Sequence, residues 1–117
     1  MERRHKRLTL WQDAIDLVTQ IYRITANYPE QEKFGLVSQM RRAAVSVASN
    51  IAEGSARNGD REFLRFLYIA RGSLAELETQ LEISKQLKLI EPETCINDVE
   101  KIFAKLANLI KTLKDRL

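Results

Sequence analysis

The sequence predicts an all-α protein, an antiparallel up-down-up-down bundle of four helices. Three observations carry that prediction. Apolar residues recur at helical spacing in four separate stretches. No stretch alternates apolar and polar residues with period two over a useful length, as a half-buried strand would. Gly (4) and Pro (2) are scarce among 117 residues, and the connections are short, so sequential helices become antiparallel neighbours.

The first helix is predicted from about Leu10 to Ala26, with Trp11, Ala14, Ile15, Val18, Ile21, Tyr22 and Thr25 on its core face. Asn27-Tyr28-Pro29 ends it, because the residue before a proline is pushed out of the α region. The second runs from roughly Gly35 to Arg57, facing the core with Leu36, Met40, Ala43, Ala44, Val47 and Ile51. Asn58-Gly59 is a turn signal. Asp60 reads as the N-cap of the third helix, since its carboxylate can accept from the free N–H groups of the first turn. Phe63, Phe66, Leu67, Ala70, Leu74, Leu77, Leu81 and Ser84 follow, and the helix ends near Lys88. The fourth opens at Pro92, whose fixed φ suits a first helical position. Cys95, Val99, Ile102, Phe103, Leu106, Leu109, Ile110 and Leu113 form its apolar face.

More apolar surface is present than one bundle core uses. Val45, Ala48 and Ala52 lie beyond the core arc of the second helix. Leu10, Leu17 and Ile24 make a second stripe on the first, and Leu64, Tyr68 and Ala75 lie nearly opposite the core on the third. Contiguous exposed apolar patches mark interfaces. The pattern predicts a homo-oligomer with Val45, Ala48, Ala52 and Leu64 at the subunit contact.

Residues 8–117 fit one domain, preceded by a basic tail at 1–7. No apolar run approaches the roughly 18 residues of a membrane span, and no apolar signal segment follows the tail, so a soluble cytoplasmic protein is expected. A single cysteine, Cys95, allows neither an internal disulfide nor a thiolate zinc cluster, and its place on an apolar face suits a small inert side chain. The one histidine, His5, falls in the tail, where it cannot orient a nucleophile. Glu-x-x-His pairs, the mark of a carboxylate-bridged metal bundle, are missing. The 53–60 segment has two glycines but no Walker-type lysine and no preceding strand, so it reads as a helix–helix loop. No catalytic residue, metal, cofactor or small-molecule substrate is predicted, and the chain reads as non-enzymatic.

Two constellations remain. Gln39, Ser46, Asn50 and Glu53 line one edge of the second helix. Polar groups at a helix seam must be paired or cost roughly 1–3 kcal/mol each, so this stripe reads as a structural seam that sets packing register, with a ligand site as the lesser alternative. The second constellation is Arg41, Arg42, Arg57, Arg61, Arg65 and Arg71, in a stretch without lysine; Arg61, Arg65 and Tyr68 share the outer face of the third helix. Guanidinium binds phosphate in bidentate fashion and stacks on bases, so these residues with Tyr68 form a candidate nucleic-acid surface. A solvated face is the alternative, as is an inter-subunit face paired with Glu76, Glu78 and Glu82 of a second copy; the rival class is a scaffold whose protein partner docks on the oligomer or on its acidic 76–100 region. Charge is also segregated: residues 33–71 and 101–117 are basic, whereas 8–32 and 72–100 are acidic.

Leu10-Trp11 with Ala14, Tyr28-Pro29, Phe34-Gly35-Leu36, Arg41-Arg42-Ala43-Ala44, Ser49-Asn50-Ile51-Ala52-Glu53-Gly54 and Gly72-Ser73-Leu74 occur in that order. In these motifs, over roughly residues 8–90, the chain resembles the four-helix bundle proteins encoded in intervening sequences of bacterial 23S rRNA genes. It is also similar to the accessory proteins of diversity-generating retroelements. The resemblance implies a homopentameric ring. It brings no catalytic residues; it makes Arg41, Arg42, Arg57, Arg61 and Arg65 candidates for nucleic-acid contact or ring assembly, and the retroelement relatives imply a protein partner.

Overall fold

The computed structural model describes residues 3–117; Met1 and Glu2, the start of the expected tail, lie outside the described residues. Four α-helices occur among them: α1 (Thr9–Thr25), α2 (Ser38–Ala56), α3 (Asp60–Gln86) and α4 (Ile96–Asp115). No strand occurs among the described residues. Each helix forms where the apolar repeat predicts it, and the differences lie at the ends.

α2 begins at Ser38 rather than Gly35. A 3₁₀ turn at Glu30–Glu32 leads into a wide turn at Lys33–Val37, where Gly35 takes φ −105°, ψ −108°, outside helical values. The Glu32 carboxylate accepts from the Leu36 N–H at 3.4 Å, which ties this turn. At the start of α3, Gly59 holds the capping position with φ 102°. Only glycine adopts such a φ without strain. Asp60 is therefore the first helical residue and not the cap; its carboxylate meets Arg116 at 2.9 Å. α3 ends in a six-to-one bond from Leu89 N–H to Ser84 O, with Lys88 at φ 60°. α4 opens at Ile96 rather than Pro92, because Cys95 stands in the left-handed region at φ 63° and separates the 92–95 turn from the helix.

α2 and α3 make the closest contact. A Cβ on Gly54 would lie 2.6 Å from Phe66 Cβ and 3.0 Å from Phe63 Cδ1. Ala43, Ala44, Ala48 and Gly54 are all buried on α2, so its backbone can approach its neighbours. Ser46 Oγ and Ser73 Oγ are 2.8 Å apart across the same seam. Further along, the Ser84 hydroxyl meets Met40 Sδ at 3.6 Å. α1 joins α4 through Asp13, which accepts from Lys105 at 2.5 Å and lies 3.6 Å from Lys101.

The buried face of α1 is rotated from the expected one. Leu10, Ala14, Leu17, Ile21 and Thr25 are buried, whereas Ile15 and Tyr22 are exposed. α1 touches both α2 and α4, so the centre of its buried arc lies between the two apolar stripes that the sequence presents. The core faces predicted for α3 and for the helical part of α4 are largely buried, and Gln80 is buried with them.

The basic N-terminal segment is not a free tail over its described part. Arg4–Arg7 forms a 3₁₀ turn, the Arg4 guanidinium stands 5.0 Å from the centroid of Phe63, and His5 meets Trp11 edge-on at 4.9 Å. Phe63 and Trp11 supply aromatic surface on which long basic side chains can lie.

The fit at Gly54 yields a stability test. Alanine in a helix interior is ordinarily favoured over glycine by about 1 kcal/mol. Here the new methyl group meets Phe66, and overpacking costs about 1–3 kcal/mol, so the balance reverses. Gly54→Ala is expected to lower the urea midpoint; an unchanged or raised midpoint would contradict the close α2–α3 contact.

Candidate functional site

The arginine set divides in space. Arg41 Nε donates to Thr25 Oγ1 at 3.0 Å and its Nη2 to Tyr22 O at 3.2 Å, while the guanidinium lies 4.4 Å from the Tyr22 ring centroid. It binds at the last turn of α1, where the helix dipole favours positive charge. Arg42 stands beside it, exposed. Sixteen residues of helix separate Arg41 from Arg57, about 24 Å at 1.5 Å per residue. That exceeds the screening length of about 8–10 Å at physiological salt, so Arg41 and Arg42 stand apart from Arg57.

The remaining arginines gather around the first turns of α3. Arg57 and Arg65 both stack on Phe66, at 5.0 and 4.6 Å from its centroid. Each also holds a carboxylate: Arg57 reaches Glu53 at 2.6 Å, and Arg65 grips Glu62 with two nitrogens at 3.0 and 3.3 Å. The Arg65 hydrogen bond lowers the Glu62 pKa, and the same carboxylate raises that of Arg65. Arg61 lies one turn before Arg65, exposed. Arg4 on Phe63 and Arg116 on Asp60 bring the N-terminal turn and the end of α4 to the same place. Three basic segments far apart in sequence therefore meet on one surface. Further along α3, Arg71 covers Tyr68 at 4.9 Å from its ring centroid, and Tyr68 is 38% exposed.

The polar stripe of α2 also divides. Asn50 Nδ2 donates to Ser46 O at 2.8 Å and to Ser46 Oγ at 3.0 Å, and Ser46 continues to Ser73. These three side chains form a closed network at the α2–α3 seam. Gln39 and Glu53 are exposed, and Glu53 serves Arg57 instead. The apolar flank is reduced. Val45 is exposed, Ala52 and Leu64 are half-buried, and Ala48, at 5% exposure, is covered by the bundle's own core. Ala48 is not available to a second subunit.

Cys95 donates to Gln20 Oε1 at 3.5 Å, and burial raises its thiol pKa, which disfavours the thiolate. Among the described residues, no group of three or more His, Cys, Asp or Glu side chains could hold a metal ion. No helix of the described residues is long and apolar enough to cross a membrane. Two features escaped sequence reasoning: the exposed ring of Phe34, and a groove between the ends of α3 and α4. The run Glu-Lys-Phe-Gly at 32–35 held the only signal for the first, an apolar residue between a charge and a glycine.

Residues 6–114 match the family described as 23S rRNA-intervening sequence protein. A crystal structure of a protein with unknown function from the S23 ribosomal protein family of Bacteroides thetaiotaomicron has a similar fold. It is 24% identical, with a TM-score of 0.64, and the match covers 89% of this chain and 94% of that one. No curated protein matches the chain.

The division between the two arginine groups can be measured. Arg41→Ala removes two charge-assisted hydrogen bonds at a helix end and is expected to cost about 1–2 kcal/mol in urea denaturation. Arg42→Ala, at an exposed position, should stay within about 0.5 kcal/mol of wild type. Equal effects of the two substitutions would contradict the assignment of Arg41 to packing.

Proposed function

The chain belongs to the 23S rRNA-intervening sequence protein family, and from that premise we propose a non-enzymatic, cytoplasmic homo-oligomer that binds nucleic acid through the basic surface at the first turns of α3. The observation that carries the proposal is the convergence of Arg4, Arg57, Arg61, Arg65 and Arg116 on two phenylalanine rings and one helix start. Flat guanidinium groups held on aromatic faces suit phosphate and base contacts, and they lose little freedom on binding. Arg71 and Tyr68 extend the same face along α3.

The antiparallel up-down-up-down order belongs to the same proposal. Support comes from Met40 against Ser84, Ser46 against Ser73 and Gly54 against Phe63 and Phe66, which run in opposite directions along α2 and α3. A pentameric ring is the assembly that the family resemblance suggests. In such a ring the basic surface would repeat about an axis and bind a polymer with avidity.

A second reading has its own observation. Glu53 and Glu62 already pair with Arg57 and Arg65, which favours a protein-interaction scaffold with no nucleic-acid role.

Fluorescence anisotropy with RNA and DNA oligomers separates the two. Affinity should fall steeply with salt, and Arg61→Glu with Arg65→Glu should weaken binding and flatten the log–log salt slope by about 2. Arg42→Ala should leave the salt slope unchanged. No binding of either polymer at low salt would exclude the nucleic-acid role and leave the scaffold, whose partner should survive nuclease treatment of the purified complex.

A further inference from the structure

Phe34 is 88% exposed, more than any other large apolar side chain of the described residues. Its turn is tied down. Tyr28 before it and Val37 after it are buried. Glu32 N–H donates to Pro29 O at 2.9 Å, and the Glu32 carboxylate accepts from Leu36 N–H. Lys33 Nζ stands 5.6 Å from the ring centroid. The fold thus holds an aromatic ring in water beside a positive charge. Leaving such a ring unburied forgoes about 1.5–3 kcal/mol. A pre-organised aromatic is also the usual anchor of a protein interface.

A complementary groove lies between the end of α3 and the start of α4. Its volume is about 530 Å³, its walls include Leu81, Ile83, Ile96 and Val99, and Glu78 and Glu82 stand on its rim. Ile83 and Ile96 are 43% and 45% exposed. Phe34 and this groove lie at the same end of the bundle, as Arg41 on Tyr22, Ser84 on Met40 and Cys95 on Gln20 require. They lie on opposite sides, Phe34 at the α1–α2 connection and the groove at the α3–α4 connection. A chain cannot fill its own groove in this arrangement. Two different surfaces at one level and on opposite sides make a head-to-tail contact, which closes a ring where the rotation between successive copies returns to the first and otherwise runs on as a filament.

We propose that the groove's occupant is a second copy of this chain: Phe34 of one copy seats between Ile83 and Ile96 of the next, with Lys33 against Glu78 and Glu82. This inference rests on the homo-oligomer reading and supplies its contact. Charge supports the choice of occupant: on the Phe34 side Arg23, Lys33 and Arg42 are exposed against Glu30, while Glu78, Glu82 and Glu100 outnumber Lys85 at the groove. One aromatic buries about 150–250 Å², whereas a stable interface buries about 1,200–2,000 Å². The outer seam of α1 and α2 extends the surface. Val45 lies one turn along α2 from Arg41, and Ile15 lies two turns back along α1 from Tyr22; all three apolar side chains are exposed.

Sedimentation velocity of the full chain, with circular dichroism of each variant, tests the contact. Wild type should assemble. Phe34→Glu and Ile83→Glu should each weaken assembly by about 30-fold or more at unchanged helical content. Lys33→Glu should weaken it less, and the double exchange Lys33→Glu with Glu82→Lys should recover part of the loss. With Phe34 replaced by p-benzoylphenylalanine, photo-crosslinks should map to residues 78–100 of another copy. Phe34→Glu that assembles like wild type, or crosslinks elsewhere, would overturn this contact and leave the homo-oligomer standing. A wild type that stays monomeric at all concentrations would overturn both.

Discussion

The close approach of α2 and α3 at Gly54 is the constraint on which the rest of the molecule depends. No atom beyond Cα fits there, because Phe66 and Phe63 occupy the space that a side chain would need. Those two rings do more than fill the seam. Their outer surfaces carry Arg4, Arg57 and Arg65, so the position of the basic cluster is set by the depth at which the rings sit. The Ser46–Ser73–Asn50 network then fixes register along the same seam, since partly buried hydroxyl and amide groups have few other partners. Packing and surface chemistry are thus parts of one arrangement.

Charge is used in three distinct ways. Arg41 is spent on the fold, on the carbonyl of Tyr22 and the hydroxyl of Thr25. Asp13 binds two lysines of α4 and joins the first helix to the last. At the first turns of α3, cations gather in excess of the carboxylates that hold them. The near balance of the whole chain conceals this, because acidic residues collect elsewhere, around the end of α3 and the start of α4.

Much of the fold was legible because helical period is a strong local signal. Phe63 through Ser84 and Val99 through Leu113 were placed on core faces and are largely buried there. α1 was legible in extent but not in phase. It carries apolar residues around most of its circumference, and only its contacts with two neighbours choose Leu10 and Leu17 over Ile15 and Tyr22. Helix ends were displaced where single backbone angles intervene, at Gly35, Gly59 and Cys95. Of the candidate residues, the contact of Ser46 with Asn50 was readable from spacing, as was the distance of Arg41 and Arg42 from Arg57 along α2. The gathering of Arg4, Arg57 and Arg116 at the first turns of α3 was not, because segments so far apart in the chain meet only in the fold.

The sequence by itself determined four amphipathic helices, the turn at Asn58-Gly59, the family and the sign of each charged segment. Period, propensity and composition are local properties, and a chain displays them before it folds. Only the tertiary structure decided which arginines stand together, which apolar stripe of α1 faces inward, and that Ala48 is covered while Phe34 is held in water. These outcomes depend on distances between residues far apart in the chain. Such distances exist only once α2 has closed on α3.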